Sequence, residues 1–370
     1  MRIAINCRSI LLDHRTGIGR YSYNLLDCLG QIDKGNSFLL YAPKRCFDFK
    51  RRLPLFPYKN FKPLVDLFNA GPQRLFKKVD LYHLPSPQVI EQVKKVKLVV
   101  TVHDLIYKTY PQSHTPETLQ AAQRQMEFIV RYADKIICVS QSTRTDLHRF
   151  FNLPLEKTCV IYNGVDRNLF YPLDESQRIL ARERLKCLGI NQRFILFVGT
   201  VEPRKNLTGL LHSFALLKSE QAFTGQLVVA GMKGWMIQGL EELIKQLGIA
   251  KDVIFTGFVR DDQLRELYNL AEVFVFPSFY EGFGFPIVEA FCCGAATVTS
   301  DNSSCGEIAS DAALTVTPKT PSQIAQGIIR LLEDKVFNQY LRQKAIRRAS
   351  EFSFIQTARE TLKIYERIVP

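Results

Sequence analysis

Eleven short stretches of this chain are apolar at consecutive positions, and each is too brief for a helix. In the first half they are Ile3–Ile5, Phe38–Tyr41, Leu81–Leu84, Leu98–Val102, Ile136–Val139 and Cys159–Tyr162. In the second half they are Phe194–Val198, Leu227–Ala230, Val253–Phe255, Val273–Phe276 and Ala296–Thr299. A strand apolar on both faces suits a parallel sheet covered on both sides. Longer helical stretches such as 120–133, 206–218 and 262–271 separate these runs, which gives βαβ units. Each half therefore reads as an open, doubly wound α/β domain. The length of 370 residues fits two domains of medium size. The boundary is expected within 164–192, where Gly164-Val165-Asp166 and Tyr171-Pro172 punctuate the chain before a charged helix. Ligands of doubly wound sheets bind beyond the carboxyl ends of the strands. Two such domains facing one another would hold a ligand in the cleft between them.

Composition excludes several classes. With 46% hydrophobic and 23% charged residues, the chain is expected to fold. Its longest uncharged runs, such as Gln221 to Met232, fall short of the roughly 18 residues of a spanning helix. The segment Met1 to Arg8 lacks the apolar core of a secretory signal. The nine cysteines are odd in number and share no metal-like spacing. Reduced, buried thiols in a cytoplasmic protein are the expectation.

The net charge is +13, and residues 1–170 carry 26 basic against 14 acidic side chains, hence +12. Ten of the basic residues fall within 44–78: Lys44, Arg45, Lys50, Arg51, Arg52, Lys59, Lys62, Arg74, Lys77 and Lys78. Phe47, Phe49, Phe56, Tyr58, Phe61, Phe68 and Phe76 are interleaved with them. An anionic membrane surface, a nucleic acid, or a solvated surface over core aromatics would each account for this mixture. Pro54, Pro57, Pro63 and Pro72 argue against one long amphipathic helix.

The segments that carry chemistry sit on strand-to-helix turns. Phe274 to Ala290 runs from a buried strand through Pro277, Glu281, Gly282 and Gly284 to Pro286 and a helix bearing Glu289. Glycines let backbone N–H groups approach a bound group, and a helix N-terminus attracts anions. Glu281 lies among apolar residues at this edge, which favours function over a solvated side chain. Phe197 to Leu207 carries Arg204 and Lys205, adjacent cations suited to a diphosphate. Gly17-Ile18-Gly19 is a glycine turn but not a full dinucleotide signature, because position 22 is Ser22. His103 follows the strand Leu98–Val102. Asn163-Gly164-Val165-Asp166 marks a turn and an interdomain hinge.

Taken in order, Gly17-Ile18-Gly19, His103, Glu202-Pro203-Arg204-Lys205 and the Glu281…Glu289 pair resemble the family-four retaining glycosyltransferases (group 1 type). The resemblance covers nearly the whole chain. Its most specific part is the E-x7-E spacing with its Gly-Phe-Gly-Phe-Pro interior. It implies the α/β GT-B architecture, two doubly wound Rossmann-like domains facing across a cleft. Residues 1–170 would bind the acceptor and 171–350 the nucleotide sugar. Residues 351–370 would form a helix packing back toward the first domain.

The resemblance also implies roles. Arg204 and Lys205 would grip the donor phosphates, and Glu281 would approach the sugar near its 3- and 4-hydroxyls. The N–H groups of Phe283, Gly284 and Phe285 would bind sugar hydroxyls and the β-phosphate. Glu289 would accept from the ribose, and Val259 would meet the base through its backbone. Gly17 and Gly19 would let the first domain close over the donor, and His103 would contact the sugar near the site of transfer. One departure is Thr200, where family members often carry a basic residue; neutralisation then rests more on Arg204 and Lys205.

The expected activity is transfer of a hexosyl group, with retention, from a nucleoside-diphosphate sugar to a glycan or lipid-linked saccharide in polysaccharide biosynthesis. UDP-glucose is the first choice of donor and GDP-mannose the second. No Asp-x-Asp occurs, so neither a metal nor another cofactor is expected. The protein would be cytoplasmic, with peripheral contact to an anionic membrane through residues 44–78 and no nucleic-acid partner. A sugar-nucleotide epimerase of the same fold is the alternative, ahead of a nicotinamide-dependent oxidoreductase. A nucleic-acid-binding protein is opposed by the motifs.

Overall fold

The structure is a computed structural model that describes residues 1–11, 17–43, 52–68, 70–88, 95–232 and 239–369. It divides into two compact units, Met1–Gly164 with Ser353–Pro370, and Val165–Phe352.

The first unit holds a seven-stranded sheet. Its strands are β1 (Arg2–Asn6), β2 (Ser37–Pro43), β3 (Phe61–Asp66), β4 (Leu81–Leu84), β5 (Lys97–Val102), β6 (Lys135–Cys138) and β7 (Thr158–Val160). They lie in the order β3-β2-β1-β4-β5-β6-β7, and every pairing is parallel. β1 shows why: Ile3, Ala4 and Ile5 are fully buried, covered on both faces. Ile3 registers with Phe38 on one side and Leu81 on the other.

The second unit holds β8 (Phe194–Val198), β9 (Gln226–Ala230), β10 (Val253–Gly257), β11 (Val273–Phe276), β12 (Thr297–Ser300) and β13 (Leu314–Val316). Their order is β10-β9-β8-β11-β12-β13, again parallel. One face packs Phe197, Val229 and Val275 under the helix Leu207–Ser219, whose Leu210, Leu211 and Phe214 are buried in the same core. The charged helix expected before Phe194 spans Glu175–Lys186 and opens on a capping box formed by Asp174 and Gln177.

All eleven apolar runs are strands, but two further strands, β3 and β13, escaped the pattern. Both are sheet edges. β3 carries Pro63 opposite Leu40, which an edge tolerates because the missing N–H can face away from the sheet. It arises inside the basic stretch 44–78. Within that stretch Lys44, Arg45, Phe47, Phe49, Lys50 and Arg51 lie outside the described residues. Of the rings described, Phe56, Tyr58 and Phe61 pack on one another and on Tyr23 and Phe38. Leu55 and Phe68 remain 97% and 84% exposed.

The helix Phe354–Ile368 belongs to the first unit, where it packs on the helix Gly17–Ile32. Gly164 makes this return possible. A Cβ there would stand 2.0 Å from the Phe354 nitrogen and 2.5 Å from the Ser353 carbonyl carbon, so backbone passes where a side chain would be. Among the described residues no helix is long and apolar enough to cross a membrane. The eight described cysteines are free; six are buried, Cys159 is half-buried, and Cys187 departs from expectation by being exposed.

Candidate functional site

In the second unit β8 and β11 are neighbours from which the strand order runs outward in opposite directions. Such a reversal opens a crevice beyond the carboxyl ends of the strands. The segment Glu202–Asn206 follows β8, and Pro277–Phe285 follows β11, so both border that crevice.

Local chemistry locks the two segments together. Pro203–Lys205 form one 3-10 turn ended by Asn206 in the left-handed region, at φ 58°. The Asn206 Oδ1 accepts from the Gly209 N–H at 3.2 Å, capping the helix Leu207–Ser219. Its Nδ2 donates to the carbonyls of Pro277 at 3.1 Å and Pro318 at 2.7 Å. The Phe279 N–H donates to the Arg204 carbonyl at 2.8 Å. Residues at and just beyond the end of β12 brace the second loop. Ser300 Oγ donates to the Ser278 carbonyl at 2.6 Å, and Asn302 Nδ2 to the Phe279 carbonyl at 3.0 Å. Ser303 Oγ accepts from the Glu281 N–H at 3.1 Å, while Ser304 Oγ donates to the Glu281 carbonyl at 2.9 Å. Asn206 and this serine-rich run were not expected at the site. Ser303-Ser304 reads locally as a helix entry, and only the tertiary structure brings it to Glu281.

Arg204, Lys205 and Glu281 converge within this frame. Arg204 Nη1 and Lys205 Nζ both pair with Glu281 Oε1, at 2.7 and 2.6 Å. Arg204 Nη2 pairs with Glu202 at 2.6 Å. Lys205 Nζ also stands 4.7 Å over the Phe276 ring. Burial alone would push the Glu281 carboxyl up, but Arg204 and Lys205 outweigh it and hold the group at about 2. Burial pushes the Lys205 ammonium down, against the pull of Glu281. Glu281 is thus a fixed anion at neutral pH, with no proton to give.

The loop then turns at Gly284, whose φ of 98° favours glycine, into the helix Phe285–Cys292 with Pro286 in its first turn. Phe285 is the first residue of this helix, Gly284 its cap and Phe283 the residue before, so their N–H groups lie about an anion-attracting end. One turn on, the buried Glu289 accepts from Tyr268 Oη at 3.1 Å. Tyr268, on the helix Asp261–Leu270, is another residue that sequence reasoning missed. Val259 is buried in the turn after β10.

The first unit holds the other expected residues. Gly17 and Gly19 lie in the first turn of the helix Gly17–Ile32, not in a loop before it; Arg15 and Thr16 lie outside the described residues. Two residues on, Tyr21 meets His103 edge to face at 4.9 Å. His103 Nε2 lies 2.7 Å from the Pro85 carbonyl, which can only accept, so the proton is on Nε2. Burial pushes the His103 imidazole below its ordinary value, against the Pro85 carbonyl and Asp104. The neutral ring then offers Nδ1 as an acceptor. Behind it Tyr21 Oη lies 3.0 Å from Thr101 Oγ1, which is 2.9 Å from His83 Nε2. His83 Nδ1 closes the chain on Tyr365 Oη of the C-terminal helix at 2.6 Å. All four are buried, and burial pushes His83 down to about 3. Among the described residues no three His, Cys, Asp or Glu side chains gather as a metal site requires.

Comparison with known proteins accords with this frame. Residues 186–351 match the profile of glycosyl transferases group 1, and residues 15–169 that of glycosyltransferase family 4. The chain is 29% identical over 379 residues to the O-antigen chain mannosyltransferase B of Escherichia coli, across 95% of this chain and 96% of that protein. Sucrose-phosphate synthase from Thermosynechococcus elongatus superposes with a TM-score of 0.78 at 20% identity, over 99% of this chain and 98% of that one. Anabaena HepE in complex with UDP-glucose superposes with a TM-score of 0.75 at 20% identity, over 99% and 100%. Two parallel Rossmann-like sheets, both family profiles and a relative matched end to end lead to one conclusion: the chain belongs to the family-four, group 1 glycosyltransferases and has the GT-B fold.

Proposed function

We propose that this glycosyltransferase moves a mannosyl group, with retention and without a metal ion, from GDP-mannose to a saccharide or lipid-linked acceptor in polysaccharide assembly. The observation that carries the reaction is the pair of cations, Arg204 and Lys205, converging at the crevice where the strand order reverses. The name of the full-length relative favours mannose over glucose. UDP-glucose is the other arm of the test.

The chemistry follows from charge. The bond between the sugar's anomeric carbon and the phosphate oxygen breaks, and its electrons pass to the diphosphate. The acceptor hydroxyl attacks on the face the diphosphate is leaving, and its proton passes to a phosphate oxygen. Arg204 and Lys205 stabilise the charge on the leaving group, which is the largest catalytic term in such a step. A Glu281 carboxyl at about 2, held by two cations, suits neither an acid nor a free nucleophile. It instead accepts hydrogen bonds from sugar hydroxyls. Amides of Phe283, Gly284 and Phe285 take hydroxyls and the β-phosphate, Glu289 takes the ribose, and the Val259 backbone meets the base. His103 accepts a sugar hydroxyl at Nδ1, and the Gly17–Gly19 turn admits backbone close to the ligand.

Residues 44–78 give the chain peripheral contact with an anionic membrane, at which the acceptor is met. Arg52, Lys59 and Lys62 are exposed in that stretch, as are the apolar Leu55 and Phe68. Pelleting with anionic but not neutral vesicles at low salt is the expected result; equal pelleting contradicts the contact.

The deciding experiment incubates the protein with GDP-mannose or UDP-glucose and a saccharide acceptor, with a chelator present, and reads the product anomer by NMR. Transfer of mannose with the donor's α configuration supports the reading. Transfer of glucose replaces the donor assignment, an inverted product the mechanism, and a chelator-dependent rate the absence of metal. Conversion of the donor without an acceptor points to an epimerase.

A further inference from the structure

The cluster that would receive a diphosphate is already neutral. Arg204 and Lys205 supply two positive charges, and Glu202 and Glu281 supply two negative ones, across contacts of 2.6, 2.7 and 2.6 Å. Incoming phosphates therefore meet cations that are occupied. A guanidinium binds phosphate best through two parallel N–H groups. Here Nη1 serves both Glu281 and the Tyr280 carbonyl, the latter at 3.3 Å, and Nη2 faces Glu202, so a phosphate docking across the two Nη groups displaces a carboxylate.

The two carboxylates differ in how firmly they are held. Glu281 is bound by both cations, its side chain is 9% exposed, and Ser303 and Ser304 fix its backbone. Glu202 is paired, among the described residues, with Arg204, and its side chain is 15% exposed beside an Arg204 that is 19% exposed. Lys205, at 9%, lies deeper. The outer pair is the one a solute reaches first and the one with fewer bonds to break.

Resting on the reading of Arg204 and Lys205 as the diphosphate site, we propose that Glu202 is the exchangeable counter-ion of Arg204. It holds the guanidinium while the site is empty, yields it to the donor's diphosphate, and reclaims it as the nucleoside diphosphate leaves. Glu202 is a positioning residue acting through Arg204. It keeps the free protein from presenting one uncompensated positive charge, and it sets how tightly product is retained. Arg204→Glu202 reclosure competes with phosphate, so the carboxylate weakens diphosphate binding and speeds release.

The test compares wild type with Glu202→Gln, which keeps the shape and removes the charge, and with Glu202→Ala as a second variant whose fold is checked by circular dichroism. Calorimetric titration with inorganic pyrophosphate, GDP, UDP and GMP is read beside stopped-flow dissociation of the tighter nucleotide. Both variants are expected to bind pyrophosphate and that diphosphate about tenfold more tightly, with slower dissociation and a smaller gain for GMP. Equal or weaker diphosphate binding by the variants, where wild type binds, overturns the proposal and leaves the site reading standing. Should none of the three proteins bind pyrophosphate or either diphosphate, the site reading fails and takes this proposal with it.

Discussion

The two units solve the same problem with opposite materials. Beyond β8 and β11 the second unit gathers four charges within hydrogen-bond distance and leaves the outer pair, Arg204 and Glu202, partly open to solvent. Beyond β4 and β5 the first unit sets a neutral imidazole on a neutral hydroxyl chain, Tyr21 to Thr101 to His83 to Tyr365, all buried. The first arrangement can trade a carboxylate for a phosphate. The second can only present an acceptor that is held still. A site that stabilises a leaving anion needs movable charge, whereas one that orients a hydroxyl needs a fixed direction.

The sharpest way to break this contrast is to remove one cation. Lys205→Ala should lower kcat/KM by about 10²–10³, roughly 3–4 kcal/mol of barrier, by analogy with the loss of one oxyanion donor. Steady-state kinetics with the active donor check it, and a loss below tenfold would mean the charge does little.

Next in size is the anion. Glu281→Gln leaves the buried Lys205 and the half-buried Arg204 without their shared partner and should cost about 3 kcal/mol of stability at pH 7. The Glu281 carboxyl sits at about 2 against an ordinary value near ~4.3, so its folded value is depressed. Its contribution is present above ~4.3 and is lost as pH falls toward 2. The gap in melting temperature between wild type and variant should therefore persist above pH 5 and close below it.

The first unit should respond to shape more than to charge. Gly164→Ala forces backbone apart at Ser353 and Phe354 and should destabilise that unit by about 2 kcal/mol. Hydrogen exchange should rise in the helix Phe354–Ile368 and stay unchanged in Leu207–Ser219; a uniform rise would contradict the local account. Smallest is Tyr21→Phe, which removes one buried hydroxyl bond and should cost about 1 kcal/mol by chemical denaturation. Because His83 is pushed down to about 3 and stays neutral, that loss should be flat from pH 5 to 9.

What the sequence made legible follows a pattern. Strands buried on both faces announced themselves, because a run such as Phe194–Val198 has no other stable use. Of the four edge strands, β7 and β10 kept enough apolar positions to be read, whereas β13 is short and β3 is wet on several positions and carries a proline. Arg204, Lys205 and Glu281 could be singled out because each lies a few residues past a recognisable strand. Their mutual pairing could not, since Arg204 and the Tyr280 carbonyl it reaches are 76 positions apart. The same holds for Tyr268 beneath Glu289 and for His83, whose partner Tyr365 lies 282 positions away. Glu202 was visible in the motif, but its neutralising role is a matter of distances, not of letters.

The return of Phe354–Ile368 to the first unit reaches beyond packing. On the ribosome, everything from Val165 to Phe352 is made before the segment that completes the body begun at Met1. The N-terminal half must therefore wait, with the surface meant for Tyr365 uncovered, while its successor is already free to fold. A stop codon just after Phe352 would strike at the beginning of the protein: the portion bearing Arg204 and Lys205 would emerge entire, and His83 would be left without its last neighbour.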